Sequence, residues 1–307
     1  MPNDMRVGKT IKEKMKVKRL AGKVAVITGG GGGIGGAVAM EMAAEGAKVV
    51  VNDFGKDEKG KSYADIKVEE IKKAGGMAVA NYDDVSTMAG GANIIQTAIK
   101  NFGRIDILLN TAGFSRRGPA VDMPEEDWDS VIAVHLKGHF SCSQAAAREM
   151  IKQKNGGCII NVSSVAGFGF MDLPFFGISY ATAKAGVVGF TGKLFGELSK
   201  YGIRVNAIFP NARTKGFPEE RPGADSPDHM APLIVYLATD EAKDITGQLF
   251  HLGPGEVGLF PRPIQGQSIL VRKLGKWTVD ELSQVVPQMM PRQGPPPGGP
   301  GGLPKPV

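Results

Sequence analysis

The sequence predicts an α/β fold, a single doubly wound Rossmann domain whose seven-stranded parallel sheet carries helices on both faces. Three observations predict it. Short β-branched runs alternate with longer amphipathic segments, the pattern of β-α-β units. The first run ends in a string of glycines that opens the next helix. The chain, at 307 residues, is long enough for one large core with both ends to spare.

The elements follow in order. Lys23–Thr28 reads as a buried strand, and Ile34–Glu45 as a helix stopped by Gly46. The strand Lys48–Asn52 ends at Asp53. Next come helix Tyr63–Ala74, strand Met77–Asn81, helix Met88–Phe102 and strand Ile105–Asn110. The second half reads as helix Glu125–Lys152, strand Cys158–Ser163, helix Ser179–Tyr201, strand Arg204–Phe209, helix Pro227–Leu237 and strand Gln248–Leu252. Right-handed crossovers would gather residues 21–258 into one catalytic domain. Residues 1–20 form a basic N-terminal arm. Residues 259–286 read as a C-terminal arm, with a short helix opened by the capping pair Thr278 and Glu281. Residues 287–307 are rich in Pro and Gly, so a disordered or polyproline-like tail is expected.

Composition excludes several classes. No apolar run reaches the roughly 18 residues of a membrane span, and no apolar leader stands at the N-terminus, so a cytoplasmic protein without membrane contact is expected. Two cysteines, Cys142 and Cys158, are too few for a disulfide framework and too far apart for a zinc site; no metal is expected. The net charge of +6 raises a nucleic-acid reading. The excess cations belong to the two ends, however, and the body is slightly acidic, so no nucleic-acid partner is expected. For the arm itself two readings stand: a solvated leader, or contact with a partner subunit or anionic ligand.

Two stretches carry chemistry. Thr28 to Gly35 spells T-G-x-x-x-G-x-G between a strand and a helix. Glycines let the backbone approach a pyrophosphate at the helix N-terminus. Asp53, at the end of the second strand, suits an adenosine ribose and would repel a 2′-phosphate, and the turn carries no Arg or Lys. The expected cofactor is therefore NAD. Tyr180 and Lys184 form Y-x-x-x-K, which puts both on one helical face. A free phenol titrates near pH 10, and an ammonium beside it favours the phenolate, bringing it toward use as a base.

With Asp84-Val85 after the third strand and Asn110-Thr111-Ala112-Gly113 after the fourth, these motifs resemble the short-chain dehydrogenase/reductase family over Leu20 to Gly258. Within it the chain is most like the (3R)-hydroxyacyl-CoA dehydrogenase units of peroxisomal multifunctional enzymes. That likeness rests on Asn52-Asp53-Phe54-Gly55, Val79 to Asp83, Val134-His135-Leu136-Lys137-Gly138 and Pro210-Asn211-Ala212. The resemblance implies an NAD-dependent enzyme interconverting a secondary alcohol and a ketone, most simply a 3-hydroxyacyl-CoA and its 3-oxo form. It implies cofactor contacts at Gly29, Gly33, Ile34, Gly35, Asp53, Asp84, Val85, Asn110, Ala112, Gly113, Tyr180, Lys184 and Thr214. It also implies catalytic Ser164, chosen over Ser163 because the family motif is Ser-x-x-Gly, with Tyr180 and Lys184. A homo-oligomer, dimer or tetramer, is implied likewise. The alternatives are the same chemistry on a non-CoA alcohol or ketone, and a silent NAD-binding subunit.

Three departures stand out. Thr111 occupies a position where the family often has a second Asn. His135 stands where the family carries a catalytic asparagine acting through its main-chain carbonyl; it keeps that role if the helix is locally distorted, and otherwise makes only local hydrogen bonds. Ser164 and Tyr180 lie 16 positions apart, longer than is common in the family. The loop between them holds Phe168, Phe170, Met171, Leu173, Phe175 and Phe176, which would line an acyl pocket or be buried in the core or at a subunit contact. Arg213, Lys215 and Arg221 read either as a solvated loop or as partners for a carboxylate or CoA phosphates.

Overall fold

Buried β-branched runs pair side by side into one sheet, ordered β3-β2-β1-β4-β5-β6-β7-β8 in the computed structural model. The structure describes residues 18–169, 176–212, 226–253 and 255–260. The expected basic arm up to residue 17, the loop at 170–175, the segment with Arg213, Thr214, Lys215 and Arg221, the C-terminal helix and the Pro/Gly tail lie outside them. Strands β1 (Val24–Thr28), β2 (Lys48–Asn52), β3 (Met77–Asn81), β4 (Ile107–Asn110), β5 (Gly157–Val162), β6 (Ile203–Pro210) and β7 (Leu249–Gly253) are all parallel. The central residues of β1, β2, β4, β5 and β6 are fully buried, as a sheet covered on both faces requires.

The count of seven strands is corrected to eight. Strand β8 (Glu256–Leu259) runs antiparallel to β7, pairing Phe250 with Leu259 and Gly253 with Glu256. An antiparallel neighbour needs only a tight turn, here with Gly255 at φ 68°. The glycine and proline around that turn made the sequence read as the end of the sheet.

The helices are α1 (Gly33–Ala44), α2 (Tyr63–Lys73), α3 (Met88–Phe102), α4 (Glu125–Ile132), α5 (Gly138–Gln153), α6 (Ile178–Leu198) and α7 (Ala231–Ala238). The expected single helix from Glu125 to Lys152 is interrupted. Between α4 and α5, Ala133–Lys137 forms a π turn, and the Gly138 N–H reaches back five residues to the carbonyl of Ala133. Such single wide turns re-aim side chains and cluster at functional sites. His135 is on it.

One row of polar side chains marks where the sheet ends. Asn81, Asn52, Thr28, Asn110 and Asn161 stand in register across β3, β2, β1, β4 and β5. All are buried, and they bond sideways: Asn52 donates to Asn81 at 2.8 Å and Asn110 to Asn161 at 2.9 Å. Strand order reverses between β1 and β4, where the Thr28 hydroxyl accepts the N–H groups of Thr111 and Ala112. A crevice at the carboxyl ends of the strands opens at that switch point.

Candidate active site

The crevice is a cavity of about 580 Å³. One end is built from glycines. A Cβ at Gly35 would lie 2.3 Å from the carbonyl oxygen of Gly29, so only glycine lets the turn close onto the start of α1. Gly32 caps that helix without a side-chain acceptor, and no acidic residue occupies its first turn. The leading N–H groups therefore remain available to an anion. Asp53 closes this end, its carboxylate accepting the N–H of Gly31 at 3.1 Å and of Gly55 at 2.9 Å. The residues fit a dinucleotide: a bare backbone cradle at a helix N-terminus, beside a fixed carboxylate.

The other end gathers Ser164, Tyr180, Lys184 and His135. Lys184 is 2% exposed, and its Nζ donates to the carbonyl of Val162 at 2.6 Å. Burial lowers its ammonium to about 7. It lies 5.5 Å from the centre of the Tyr180 ring, one helical turn away. Phe176 stacks on that ring at 4.6 Å, and His135 meets it edge-on at 5.0 Å.

Ser164 begins a short 3-10 turn, Val165–Phe168, and its hydroxyl accepts the Ala166 N–H at 3.2 Å. The neighbouring Ser163 hydroxyl is taken up by the carbonyl of Lys184 at 2.9 Å. The Ser-x-x-Gly pattern has a steric reason. A Cβ at Gly167 would lie 2.6 Å from the Lys184 carbonyl carbon, so glycine lets the serine turn lie on the α6 backbone at the lysine.

His135 is buried, with Nε2 against the main chain of Phe114: 2.5 Å from the carbonyl oxygen and 3.0 Å from the N–H. Its Nδ1 is buried without a hydrogen-bond partner among the described residues. Burial first, then the Lys184 charge, push the imidazole down to about 3, against a hydrogen bond to Phe114. It is neutral at ordinary pH, and its ring is held by main chain. The wide turn that carries it is a local distortion of the helix.

Of the expected site residues, Gly29, Gly33, Ile34, Gly35, Asp53, Val85, Ala112 and Gly113 line the same cavity as Ser164, Tyr180, Lys184 and His135. Two described ones do not. Asp84 is exposed, with its carboxylate engaged by Ser86. Asn110 is buried outside the lining and pins β4 to Ser143 of α5 and to Asn161. Thr214 lies outside the described residues. Of the aromatic loop, Phe176 faces the cavity, whereas Phe168 stacks on Phe209 and meets Phe260 in a separate cluster. The sequence missed Phe54, Tyr63, Phe114 and Ser115 in the lining. They follow motif residues directly or open a helix, but no spacing marks them.

The short chain dehydrogenase family pattern matches residues 23–218. The mouse "Peroxisomal multifunctional enzyme type 2" is 40% identical over 249 residues, 78% of this chain and 33% of that one. The chain spans 26 to 33% of the curated peroxisomal relatives it matches first. The "3-oxoacyl-[acyl-carrier-protein] reductase FabG" of Thermotoga maritima is 37% identical over 257 residues, 78% of this chain and 99% of that one. A crystal structure of a short chain dehydrogenase from Mycobacterium avium aligns with TM-score 0.80 and 37% identity, over 91% of this chain and 98% of that one.

Proposed function

Because the chain belongs to the short chain dehydrogenase family of oxidoreductases, we propose that it interconverts a secondary alcohol and a ketone with NAD, its substrate being a 3-hydroxyacyl-CoA. The observation that carries this reading is the buried pair Tyr180 and Lys184, one helical turn apart, at the cavity end opposite Asp53.

The glycine turn at Gly29–Gly35 would hold the pyrophosphate, Asp53 the adenosine ribose, and Lys184 the nicotinamide ribose; Val85, Ala112 and Gly113 would line the path between. Asp84 and Asn110 would support that path from outside the lining, and Thr214 would meet the carboxamide. Asp53 supports NAD over NADP, because a carboxylate fixed by two backbone N–H groups is a poor neighbour for a 2′-phosphate. The bound nicotinamide accepts hydride in oxidation and donates it in reduction.

The side chains do the rest. Ser164 orients the substrate oxygen and stabilises charge on it. Tyr180 takes the hydroxyl proton in oxidation and returns it in reduction. Lys184, charged, favours the phenolate. His135 carries the main-chain carbonyl in the family's asparagine position. Phe114, Phe176 and Val134 give the substrate end an apolar wall suited to an acyl chain.

We place the enzyme in the cytoplasm as a homo-oligomer, reading Cys142 and Cys158, both buried and free, as consistent with a reducing compartment. No helix among the described residues is long and apolar enough to cross a membrane. A carrier-bound 3-oxoacyl thioester is the second reading, favoured by the near-complete coverage of the Thermotoga relative. Assay of the purified chain with NAD and NADP tests the proposal. The substrates are 3-hydroxyacyl-CoA, the matching carrier thioester, the free acids and simple alcohols. NAD reduction fastest with the CoA ester is expected. Turnover confined to free alcohols overturns the substrate, and none with any compound supports a silent subunit.

A further inference from the structure

His139 lies in the first turn of α5, one turn beyond His135, and is equally buried. No step described above uses it. The main chain of Val162, at the end of β5, and of His135, on the π turn, acts on its imidazole, as does the Lys184 charge. Lys184 Nζ donates to that same Val162 oxygen. Two buried polar side chains thus share the Val162 main chain as a neighbour.

Their needs are complementary. An ammonium carries three donors, and the Val162 carbonyl takes one. No carboxylate interacts with Lys184 among the described residues. His139 Nε2 is buried with no hydrogen-bond partner among the described residues. With the Nδ1 proton turned to the neighbouring carbonyls, Nε2 carries the lone pair and is a pure acceptor. We propose that His139 is a positioning residue whose neutral imidazole accepts a hydrogen bond from the Lys184 ammonium through one ordered water, and so keeps that lysine charged.

The charge balance around it is simple. Burial and then Lys184 keep the His139 imidazole well below its usual range, so it stays neutral. The titratable groups that reach it are Lys184 on α6 and His135 on the π turn; β5 contributes main chain alone. Cys142, on the same helix, is held protonated by burial, its thiol pushed up to about 12. The consequence for catalysis rests on the acid–base reading of Tyr180 and Lys184, but the effect on the lysine does not.

The test is a titration of Lys184 by NMR in the cofactor-free full chain, with lysine labelled at Cε and the signal assigned by its loss in Lys184→Met. In His139→Phe the midpoint falls by about one pH unit or more, the size of a lost charged hydrogen bond. His139→Gln, whose amide oxygen accepts but does not titrate, restores it. If the Phe variant fails to fold, His139→Met takes its place. An unchanged midpoint in a folded variant overturns the proposal. The acidic limb of alcohol oxidation is measured alongside and moves to higher pH in the apolar variant. A midpoint that moves while the limb stays put upholds the role of His139 and removes Lys184 from the chemistry.

Discussion

A Cβ on residue 113 would sit 2.0 Å from Cε1 of His135, so Gly113 and His135 are fitted to each other. The imidazole occupies the space a side chain at 113 would need. Gly113→Ala therefore strains the chain by about 1–3 kcal/mol and lowers the melting temperature by several degrees. His135→Asn shortens the intruding side chain and keeps the main-chain carbonyl, so adding it to Gly113→Ala restores most of the loss. Thermal melts of both single variants and the double variant measure this coupling. Strictly additive losses would show that the two residues do not share that space.

Lys184 is held at a cost to the fold, and its pH dependence has a definite sign. Its folded value, about 7, is depressed from 10.5. Between those values the unfolded chain binds a proton that the folded chain refuses, so stability rises with pH across that window. Below pH 7 the penalty is fully present. Lys184→Met is then inactive yet more stable than the parent at pH 7, by an amount on the order of 3 kcal/mol. The gain shrinks toward zero by about pH 10.5. Urea unfolding at pH 7 and pH 10 checks it, and a variant less stable at both values contradicts it.

Asp53 joins cofactor choice to turn geometry. Asp53→Asn keeps a backbone acceptor while removing the charge, so the preference for NAD over NADP should drop at least about tenfold. The ratio of kcat/KM values with the two cofactors reads it. A ratio unchanged by the substitution would remove Asp53 from cofactor selection.

Gly167 tests the serine turn. Alanine there pushes Val165–Phe168 off the α6 backbone and displaces Ser164 from the cavity wall it shares with Tyr180. A shift of about 1 Å in a positioned group costs on the order of a hundredfold in rate. Gly167→Ala should therefore lose kcat heavily while NADH titration by fluorescence stays near the parent. Equal loss in both would mean that the substitution disturbs the cofactor end as well.

The glycine turn and the Y-x-x-x-K pair were legible because each is a short-range pattern. Thr28 to Gly35 lies between a strand and a helix, and residues four apart on a helix share a face. The wide turn at Ala133–Lys137 was not, since Ala-Val-His-Leu-Lys has the composition of an ordinary helix and the bond from Gly138 to Ala133 is a tertiary accommodation. Strand β8 hid behind its own turn residues. Tyr63 in the lining, Asn110 outside it and the convergence of His139 on Lys184 all depend on packing between distant elements, which no local spacing encodes.

The claim at the centre is that the Tyr180 hydroxyl, beside a charged Lys184, moves the substrate proton. Tyr180→Phe tests it most directly, by steady-state alcohol oxidation together with NADH binding on the same preparation. A fall in turnover of about a thousandfold or more is expected, with NADH affinity nearly unchanged. Turnover close to that of the parent, with cofactor still bound, contradicts it.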